Sequence, residues 1–283
     1  MNGILAIYKE KGYTSRDVVN ILSKELGTKK IGHTGTLDPL ATGVLVVCIG
    51  QGLKLVELLT NHDKEYIAKI KLGIETDTLD ITGNIIKEEN TIKYSKEEIE
   101  AALKKFVGKI KQQVPKYAAI KVNGKKLYEY ARNNEEVELP VRDIEIYDLK
   151  LVSDVVNNEF YIKCHVSKGT YIRSLIRDIG YELGTVATMT ELERTKLGNF
   201  TLEDTYTIDD IRSNMYSMFD IEEVLNLPKI VVDENLEKKI RNGQVLDNFF
   251  DDDMAMIMNK DNQLLAIYQT NENNKVKPYR MFI

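Results

Sequence analysis

The chain has 283 residues, of which 43% are apolar and 29% are charged, a composition typical of a folded globular protein. This length allows one large domain or two unequal domains. The longest apolar run, at residues 44–49, is far too short to cross a bilayer, which argues against a membrane protein. The formal net charge of −5 argues against a uniformly basic, nucleic-acid-binding surface.

The cysteines and the first residues indicate the cellular compartment. Cys48 and Cys164 lie in apolar strand patterns, so we interpret both as small buried residues in a reducing environment. Residues 1–8 lack the basic flank and the cleavage site of a signal peptide and predict a strand. We therefore expect a cytoplasmic protein. Because no cluster of His, Cys and carboxylate residues has metal-ligand spacing, we expect no metal site.

Strand and helix patterns mix along the chain without a regular alternation. Predicted strands cover residues 3–8, 44–49, 66–72, 119–122, 143–152, 159–166, 254–258 and 264–268. Predicted helices extend from the N-cap Ser15 to Gly27, over residues 53–59, from the capping box of Ser95 and Glu98 to Gly108, from Gly169 to Gly184, and over residues 209–227. Two hairpins are expected, at Asn123-Gly124 and around Asn157-Asn158. This mixture favours an α+β fold over a doubly wound parallel sheet.

Charge is distributed very unevenly along the chain. Residues 104–132 contain nine Lys or Arg residues against one acid, whereas residues 201–255 contain fourteen acids against five basic residues. Tyrosines interleave with the lysines of the basic section, and stacking together with phosphate neutralisation is how loop RNA is held. The alternative is a solvated lysine-rich surface. The RNA-binding candidates in this section are Lys116, Lys121, Lys125, Lys126 and Arg132.

The loop at residues 30–45 is the most informative segment, and it reads KIGHTGTLDPLATGVL. Its three glycines allow a tight fold that brings backbone close to a ligand. Pro39 biases Asp38 towards an extended conformation, which holds the carboxylate on a stiff section of chain. Taken alone, Asp-Pro is a common turn pair, and a connecting turn is the alternative interpretation.

This segment resembles the GHxGTLDPxAtGvL motif of the TruB family of tRNA pseudouridine synthases. The resemblance implies that Asp38 is the catalytic nucleophile. It also implies that His33 fills the position in the base stack that the target nucleotide has left. From the residues alone, His33 is equally a loop or core histidine.

Two further segments resemble motifs of the same family. Residues 64–80 resemble the KxY…LGxxTxTxD block, which implies that Tyr66 packs on the target base and serves as a general base. Asp80 then has a supporting role. Residues 113–132 resemble the mobile flap that covers the RNA, although Val114 and Ala118 replace the usual proline and serine. Without the motif, the interpretation of Tyr66 is a tyrosine in a half-buried strand.

Residues 167–175 resemble the GTYIRsL motif, which implies that Arg173 keeps Asp38 ionised and oriented and that Tyr171 contacts the uracil. Leu192 matches the leucine of the LrRt motif and is expected to pack under the base. Glu193 stands where arginine is usual, so we assign it no role. The alternatives are a surface helix arginine for Arg173 and a core leucine for Leu192.

The resemblance also implies the architecture. We expect a pseudouridine synthase catalytic domain at residues 1–227, built on a mixed, largely antiparallel sheet with flanking helices, and an RNA-gripping flap at about residues 109–140. Residues 228–283, after the boundary candidate Pro228, resemble a small β-rich PUA-like RNA-binding domain. The resemblance there rests on the Asn-Gly-Gln sequence at residues 242–244 and on the strand at residues 264–268.

The implied activity is isomerisation of uridine 55 in the T loop of tRNA, with no cofactor, by a monomer. Two other classes remain open from the residues. An RNA chaperone would use the fold to remodel tRNA, with catalysis secondary. A hydrolase with an Asp nucleophile would need a second acid–base group or a metal cluster, and neither is evident. A target in another RNA is also compatible with the motifs.

Overall fold

The structure is a computed structural model that describes residues 1–90 and 93–283. Its strands are β1 (Gly3–Lys9), β2 (Ile31–His33), β3 (Thr42–Ile49), β4 (Lys64–Leu72), β5 (Ile74–Thr76), β6 (Ile85–Glu88), β7 (Gly108–Gln113), β8 (Lys121–Val122), β9 (Lys125–Lys126), β10 (Val141–Leu151), β11 (Glu159–Val166), β12 (Ala187–Leu197), β13 (Phe200–Thr201), β14 (Thr205–Tyr206), β15 (Lys229–Val231), β16 (Leu246–Asp247), β17 (Met254–Met258), β18 (Leu264–Thr270) and β19 (Lys275–Met281). Its α-helices are α1 (Ser15–Glu25), α2 (Val56–Thr60), α3 (Lys96–Lys104), α4 (Leu127–Arg132), α5 (Ile172–Glu182), α6 (Ile208–Arg212) and α7 (Glu234–Arg241).

A large mixed sheet forms the centre of the molecule. Its strands follow the order β14-β1-β3-β12-β4-β11-β10-β7, with β2 paired to β3 and β13 paired to β12. The pairing is antiparallel except between β1 and β14 and between β12 and β3. Helices α1, α3 and α5 cover one face and bury an apolar core against it. The predicted α+β fold with a largely antiparallel sheet is therefore confirmed.

The start of α1 differs from the prediction by one residue. Thr14, not Ser15, is the N-cap, and it forms a capping box with Asp17. Ser15 is buried instead, where its hydroxyl donates to the Leu37 carbonyl and accepts from the Leu37 amide, at 3.1 and 2.8 Å. A residue that resembles a helix cap in the sequence thus holds the glycine-rich loop in place.

Three other helix predictions need correction. Helix α5 begins at Ile172, because Gly169 has a φ of 81° and belongs to the preceding turn. The helix predicted at residues 209–227 ends at Arg212, because Asn214 adopts a φ of 54° that stops helical continuation. The helix predicted at residues 53–59 begins as a 3₁₀ turn over Gly50–Leu55 and becomes helical only in α2.

The predicted turns and strand faces agree with the structure. Asn123 and Gly124 both have positive φ, 51° and 84°, and join β8 to β9. The second hairpin pairs β10 with β11. Burial alternates strictly along β4, as its sequence pattern predicts, but α3 ends at Lys104, so Gly108 begins β7 rather than ending the helix.

The last part of the chain forms a separate five-stranded sheet in the order β15-β17-β18-β19-β16, consistent with the predicted PUA-like fold. This sheet shares an apolar cluster with the back of the large sheet, where Met256 and Ile267 pack with Ile4 and Val46. The Arg280 guanidinium also donates to the carboxylate of Glu57. No helix of the described residues has both the length and the apolar character that a membrane crossing requires.

Candidate active site

The Asp38 loop connects β2 to β3 and is held by its own backbone. The Gly12 amide donates to the Pro39 carbonyl at 2.8 Å, and the Ala41 amide donates to the Asp38 carbonyl at 3.0 Å. Gly43 has a φ of 97°, and a Cβ there would lie 2.3 Å from the Arg194 carbonyl oxygen, so only glycine fits. These contacts leave the Asp38 side chain 37% exposed at the open side of the loop.

Arg173 lies in the first turn of α5, and its side chain is only 7% exposed. Its Nε lies 3.0 Å from Asp38 Oδ2, and a second guanidinium nitrogen lies 3.7 Å from Asp80 Oδ2. The guanidinium also donates to the carbonyls of Thr78 and Tyr117, at 2.9 and 3.0 Å. The structure therefore brings Arg173 and Asp38 together and rules out a surface helix arginine.

Asp80 is enclosed where Asp38 is open. Its side chain is 8% exposed, and its Oδ1 accepts hydrogen bonds from the Thr78 hydroxyl and the Thr82 amide, at 3.1 and 2.9 Å, and also from the Thr82 hydroxyl. The preceding residue, Leu79, has a left-handed φ of 63° that makes this tight turn. Asp80 thus anchors the far side of the Arg173 guanidinium.

Tyr66 lies in β4 at the floor of the site and is buried. Burial raises the pKa of its hydroxyl, and the nearby Arg194 guanidinium acts in the opposite direction by favouring the ionised form. The negative charge of Asp38 is close enough to raise the same pKa further. The Tyr66 hydroxyl is therefore within the electrostatic reach of the Asp38 carboxylate.

Arg194 is a site residue that the sequence reasoning missed. It is 1% exposed, and its guanidinium donates to the carbonyls of Val44 and Gly35, at 2.7 and 3.2 Å. Its backbone pairs with Tyr66 of β4 and with Gly43 of β3. Within the described residues, no carboxylate oxygen lies within 4.0 Å of this buried cation. The available signal was the LrRt motif itself, in which Arg194 occupies the second arginine position, two residues after Leu192.

Lys9 is a second buried cation that the sequence reasoning did not select. It lies at the end of β1, where its ammonium donates to the carbonyls of Glu10 and Tyr13, at 2.9 and 2.7 Å. Burial lowers the pKa of Lys9 to about 8, while the charge of Asp38 acts in the opposite direction. Asp38 therefore faces positive charge from more than one side.

Tyr171 is the N-cap residue of α5 and is fixed by one buried side chain. The Tyr171 amide donates to Gln112 Oε1 at 2.8 Å, and Gln112 Nε2 donates to the Tyr171 carbonyl at 3.1 Å. Burial raises the pKa of the Tyr171 hydroxyl, which also feels the charges of Arg173 and Asp38. Tyr171 is therefore close to the ion pair.

Leu192 is buried in β12, next to the strand that carries Tyr66.

His33 ends β2 at the edge of the Asp38 loop. Its Nδ1 accepts a hydrogen bond from the Gly35 amide at 3.3 Å. Burial lowers the pKa of His33, and the positive charge of Arg16 lowers it further. Both effects favour the neutral form of the ring.

The flap at residues 109–140 has a small core of its own, formed by Val114, Ala118 and Leu127, against which Tyr171 packs. The hydrogen bond from Arg173 to the Tyr117 carbonyl ties this segment to the ion pair of Arg173 and Asp38. The flap therefore contacts the site through Tyr171, the N-cap of α5, and through Arg173 in the first turn of that helix.

The five RNA-binding candidates of the flap have different surroundings. Lys116 and Lys121 are exposed, with no ion pair in the described part of the chain. Lys125 lies 2.6 Å from a carboxylate oxygen of Glu135. The remaining two, Lys126 and Arg132, lie over the Tyr128 ring, at 5.4 and 5.3 Å from its centroid. Three of the five candidate cations therefore already contact a carboxylate or an aromatic ring within the flap.

Comparison with known proteins identifies the family of the chain. A TruB family pseudouridylate synthase N-terminal domain matches residues 23–172, and a tRNA pseudouridylate synthase B C-terminal domain matches residues 173–234. The chain is similar to a tRNA pseudouridine synthase B from Oceanobacillus iheyensis, with 45% identity over 296 residues that cover 100% of this chain and 98% of the relative. A protein of the same name from Clostridium tetani is 44% identical and covers 95% of this chain and 92% of its own.

Among solved structures, the fold is similar to a chain of an H/ACA ribonucleoprotein bound to a substrate RNA containing 2′-deoxyuridine. The TM-score is 0.72 at 24% identity, and the match covers 99% of this chain and 85% of that chain. The fold likeness and the full-length sequence identities agree with each other. The chain therefore belongs to the TruB family of pseudouridylate synthases.

Proposed function

We propose that this protein converts uridine 55 in the T loop of tRNA into pseudouridine, with the Asp38 carboxylate as nucleophile and without a cofactor. As a TruB family member, the protein is a tRNA pseudouridine synthase, which isomerises uridine to pseudouridine. The observation that carries the role of Asp38 is its 3.0 Å ion pair with the buried Arg173, at the open side of a rigid loop.

The proposed chemistry conserves every atom of the nucleotide. The bond between ribose C1′ and uracil N1 breaks, and C1′ joins C5, which loses its proton while N1 gains one. Attack by Asp38 on either the ribose or the base moves negative charge from the carboxylate to the uracil. Arg173 is the proposed ion-pair partner that orients the attacking carboxylate.

Tyr66 is the proposed base for the proton on C5. The support is its position beside the Asp38 loop and the Arg194 guanidinium, which favours the ionised hydroxyl. Asp80 holds Arg173 from the opposite side, and in this way keeps the guanidinium directed at Asp38.

The target base is stacked within the RNA and must be flipped out, at a cost of roughly a few kcal/mol. We propose that His33 fills the vacated position in the stack. Tyr66, Tyr171 and Leu192 would form the pocket for the extruded uracil; the burial of Tyr66 and Leu192 and the partial burial of Tyr171 support this arrangement.

The RNA would lie between the catalytic domain, residues 1–227, and its flap, and the PUA-like domain at residues 228–283 would add a weaker contact because of its acidic run at residues 251–253. The flap cations proposed to bind the RNA are Lys116, Lys121, Lys125, Lys126 and Arg132. We expect the enzyme to act as a cytoplasmic monomer.

The test uses a T-arm stem-loop transcript with the wild-type protein and the Asp38→Asn variant. Pseudouridine is located by chemical adduct mapping and by mass spectrometry of digests. Product at the T-loop uridine with the wild type alone is expected. Full activity of Asp38→Asn would refute the mechanism, and tight binding by both proteins without product would favour the RNA chaperone.

A further inference from the structure

A second group of basic residues lies outside the flap. Arg16 is in the first turn of α1, and Lys29 and Lys30 lie in the connection from α1 to β2. All three side chains are exposed. We refer to these three residues as the α1 basic face. In the large sheet, β2 and β3 lie on the side away from β7, where the flap begins. The two basic regions therefore border the sheet on different sides of the site.

Hydrogen bonds hold the Arg16 end of the α1 basic face against the Asp38 loop and fix Lys30 at the far end of β3. Ser15, the neighbour of Arg16, is bonded to both backbone groups of Leu37. The Lys30 carbonyl accepts from the Gly50 amide at 2.8 Å. Strand β2 leads from Lys30 to His33 over three residues, or about 10 Å. A polyanion seated at the Asp38 loop would therefore pass within reach of this face.

The position of Arg16 is supported by a second observation. Its positive charge contributes to the lowered pKa of His33, after the larger effect of burial. The guanidinium therefore lies near the ring that is proposed to enter the base stack. A nucleotide stacked on His33 would place its own phosphate in this positive field.

The acidic side chains near the α1 basic face interact with other residues. Asp17 accepts hydrogen bonds from the amide and the hydroxyl of Thr14, at 2.8 and 2.6 Å, as part of the helix cap. Glu25 lies 3.5 Å from Arg212. No carboxylate oxygen of the described residues lies within 4.0 Å of the cationic groups of Arg16, Lys29 or Lys30. Their charge is therefore available to a ligand.

The chain segments that contain the α1 basic face and the flap have the same net charge, but they differ in how many of their cations are free to bind a phosphate. Residues 9–30 contain six basic and three acidic residues, and residues 109–140 contain seven and four, so each has a net charge of +3. The flap appears more basic in the sequence only if its last acids, Glu135, Glu136 and Glu138, are left out of the count. In the structure, Lys125 is already neutralised by Glu135.

We propose that the α1 basic face binds phosphates of the tRNA backbone. It supplies more of the salt-dependent binding than Lys125, Lys126 and Arg132 of the flap do. The inference rests on the proposed function, because it requires the RNA to be seated at the Asp38 loop. Binding of phosphates by free cations releases condensed counterions, whereas a cation that is already paired must first give up its partner.

The test measures tRNA binding as a function of KCl concentration for the wild type, Arg16→Gln and the double variant Lys29→Gln/Lys30→Gln. Each lost phosphate contact is expected to reduce the slope of log K against log salt by about 1. The double variant should therefore lose about two units of slope and Arg16→Gln about one. Lys125→Gln should change the slope by less than either.

The matched control is Lys96→Gln/Lys150→Gln, which removes the same charge from two exposed lysines that have their own carboxylate neighbours. Its slope should equal that of the wild type. Unchanged slopes in both α1 variants would overturn the proposal, and so would equal flattening in the control. A wild type that binds tRNA but forms no pseudouridine would instead refute the proposed function, which separates the two failures.

Discussion

The Asp38 loop and the Asp80 turn bring the same residue type to the same guanidinium, with opposite surroundings. Asp38 forms an ion pair with Arg173, and its side chain is 37% exposed. Asp80 is 8% exposed and accepts three hydrogen bonds from the Thr78 hydroxyl and from the amide and hydroxyl of Thr82.

This difference would allow one arginine to serve both the proposed nucleophile and a structural carboxylate. A carboxylate has about four lone-pair positions for hydrogen bonds. At Asp80 most of these are occupied by the turn, so the group is a fixed counterion. At Asp38 they remain open towards the site, which is the state that a nucleophile needs.

The largest effect is expected from Arg173→Met, which removes the shared partner. Asp80 would then remain buried without its counterion, and the free energy of unfolding should fall by about 3–5 kcal/mol. Chemical denaturation measures this value. In double-mutant cycles the coupling of Arg173 to Asp80 should exceed its coupling to Asp38, because Asp38 is partly solvated. Equal couplings would remove the distinction between the two carboxylates.

Arg194→Met tests whether the floor of the site depends on a buried cation. The variant leaves the carbonyls of Val44 and Gly35 without their donor, and the stability should fall by roughly 2 kcal/mol or more. Because Arg194 favours the ionised Tyr66 hydroxyl, the variant should also raise the pKa of Tyr66, measured by NMR of ¹³C-labelled tyrosine. An unchanged Tyr66 pKa would limit Arg194 to a structural role.

Asp38→Asn should mainly lower the reaction rate, whereas Asp80→Asn should mainly lower the stability. Asp38→Asn should lower the single-turnover rate by at least about 10³-fold. Its stability should change by less than about 1 kcal/mol, because the ion pair is partly solvated. Asp80→Asn should instead lower stability by about 1–2 kcal/mol and reduce the rate less. Thermal unfolding and quench-flow measurements on both variants decide between these outcomes.

Within the flap, the lysines should differ according to their partners. Lys116→Gln and Lys121→Gln should each reduce the salt slope of tRNA binding by about 1, because no carboxylate of the described residues pairs with either cation. Lys125→Gln should have a smaller effect, since Glu135 already pairs with it. The Glu135→Gln variant is the control, and it should strengthen binding by releasing Lys125. Identical slopes for all three lysine variants would contradict this order.

The smallest effect concerns His33. Its folded-state pKa lies below 6.5 because burial disfavours the charged ring, so the unfolded chain binds the proton more readily. The associated stability is complete above pH 6.5 and is lost as the pH falls towards the folded pKa. Arg16→Gln should raise the pKa of His33 in an NMR titration, with His33→Gln as the assignment control. No shift would place Arg16 away from the ring.

The sequence predicted local structure correctly where particular residue types define a turn, a strand face or a helix cap. The two Asn-containing hairpins, the alternation of β4 and the capping box at Ser95 depend on neighbours within a few residues, so the sequence was sufficient. The buried free cysteines, Cys48 and Cys164, were also predicted from their strand patterns. The predicted helix at residues 209–227 was wrong. Its many acidic residues resemble those of a solvated helix, and the residue that stops the helix, Asn214, does so through a positive φ that the sequence pattern did not reveal.

The motifs in the sequence selected Asp38, Tyr66, Tyr171 and Arg173, but only the tertiary structure brought them together. The same is true of Asp80, whose depth and hydrogen bonds depend on a turn packed against β12. Arg194 and Lys9 were missed because a charged residue in a strand normally predicts an exposed face. Whether a cation is buried, paired or free depends on partners more than a hundred residues away, as with Arg194 and Val44. Composition and spacing do not contain that information.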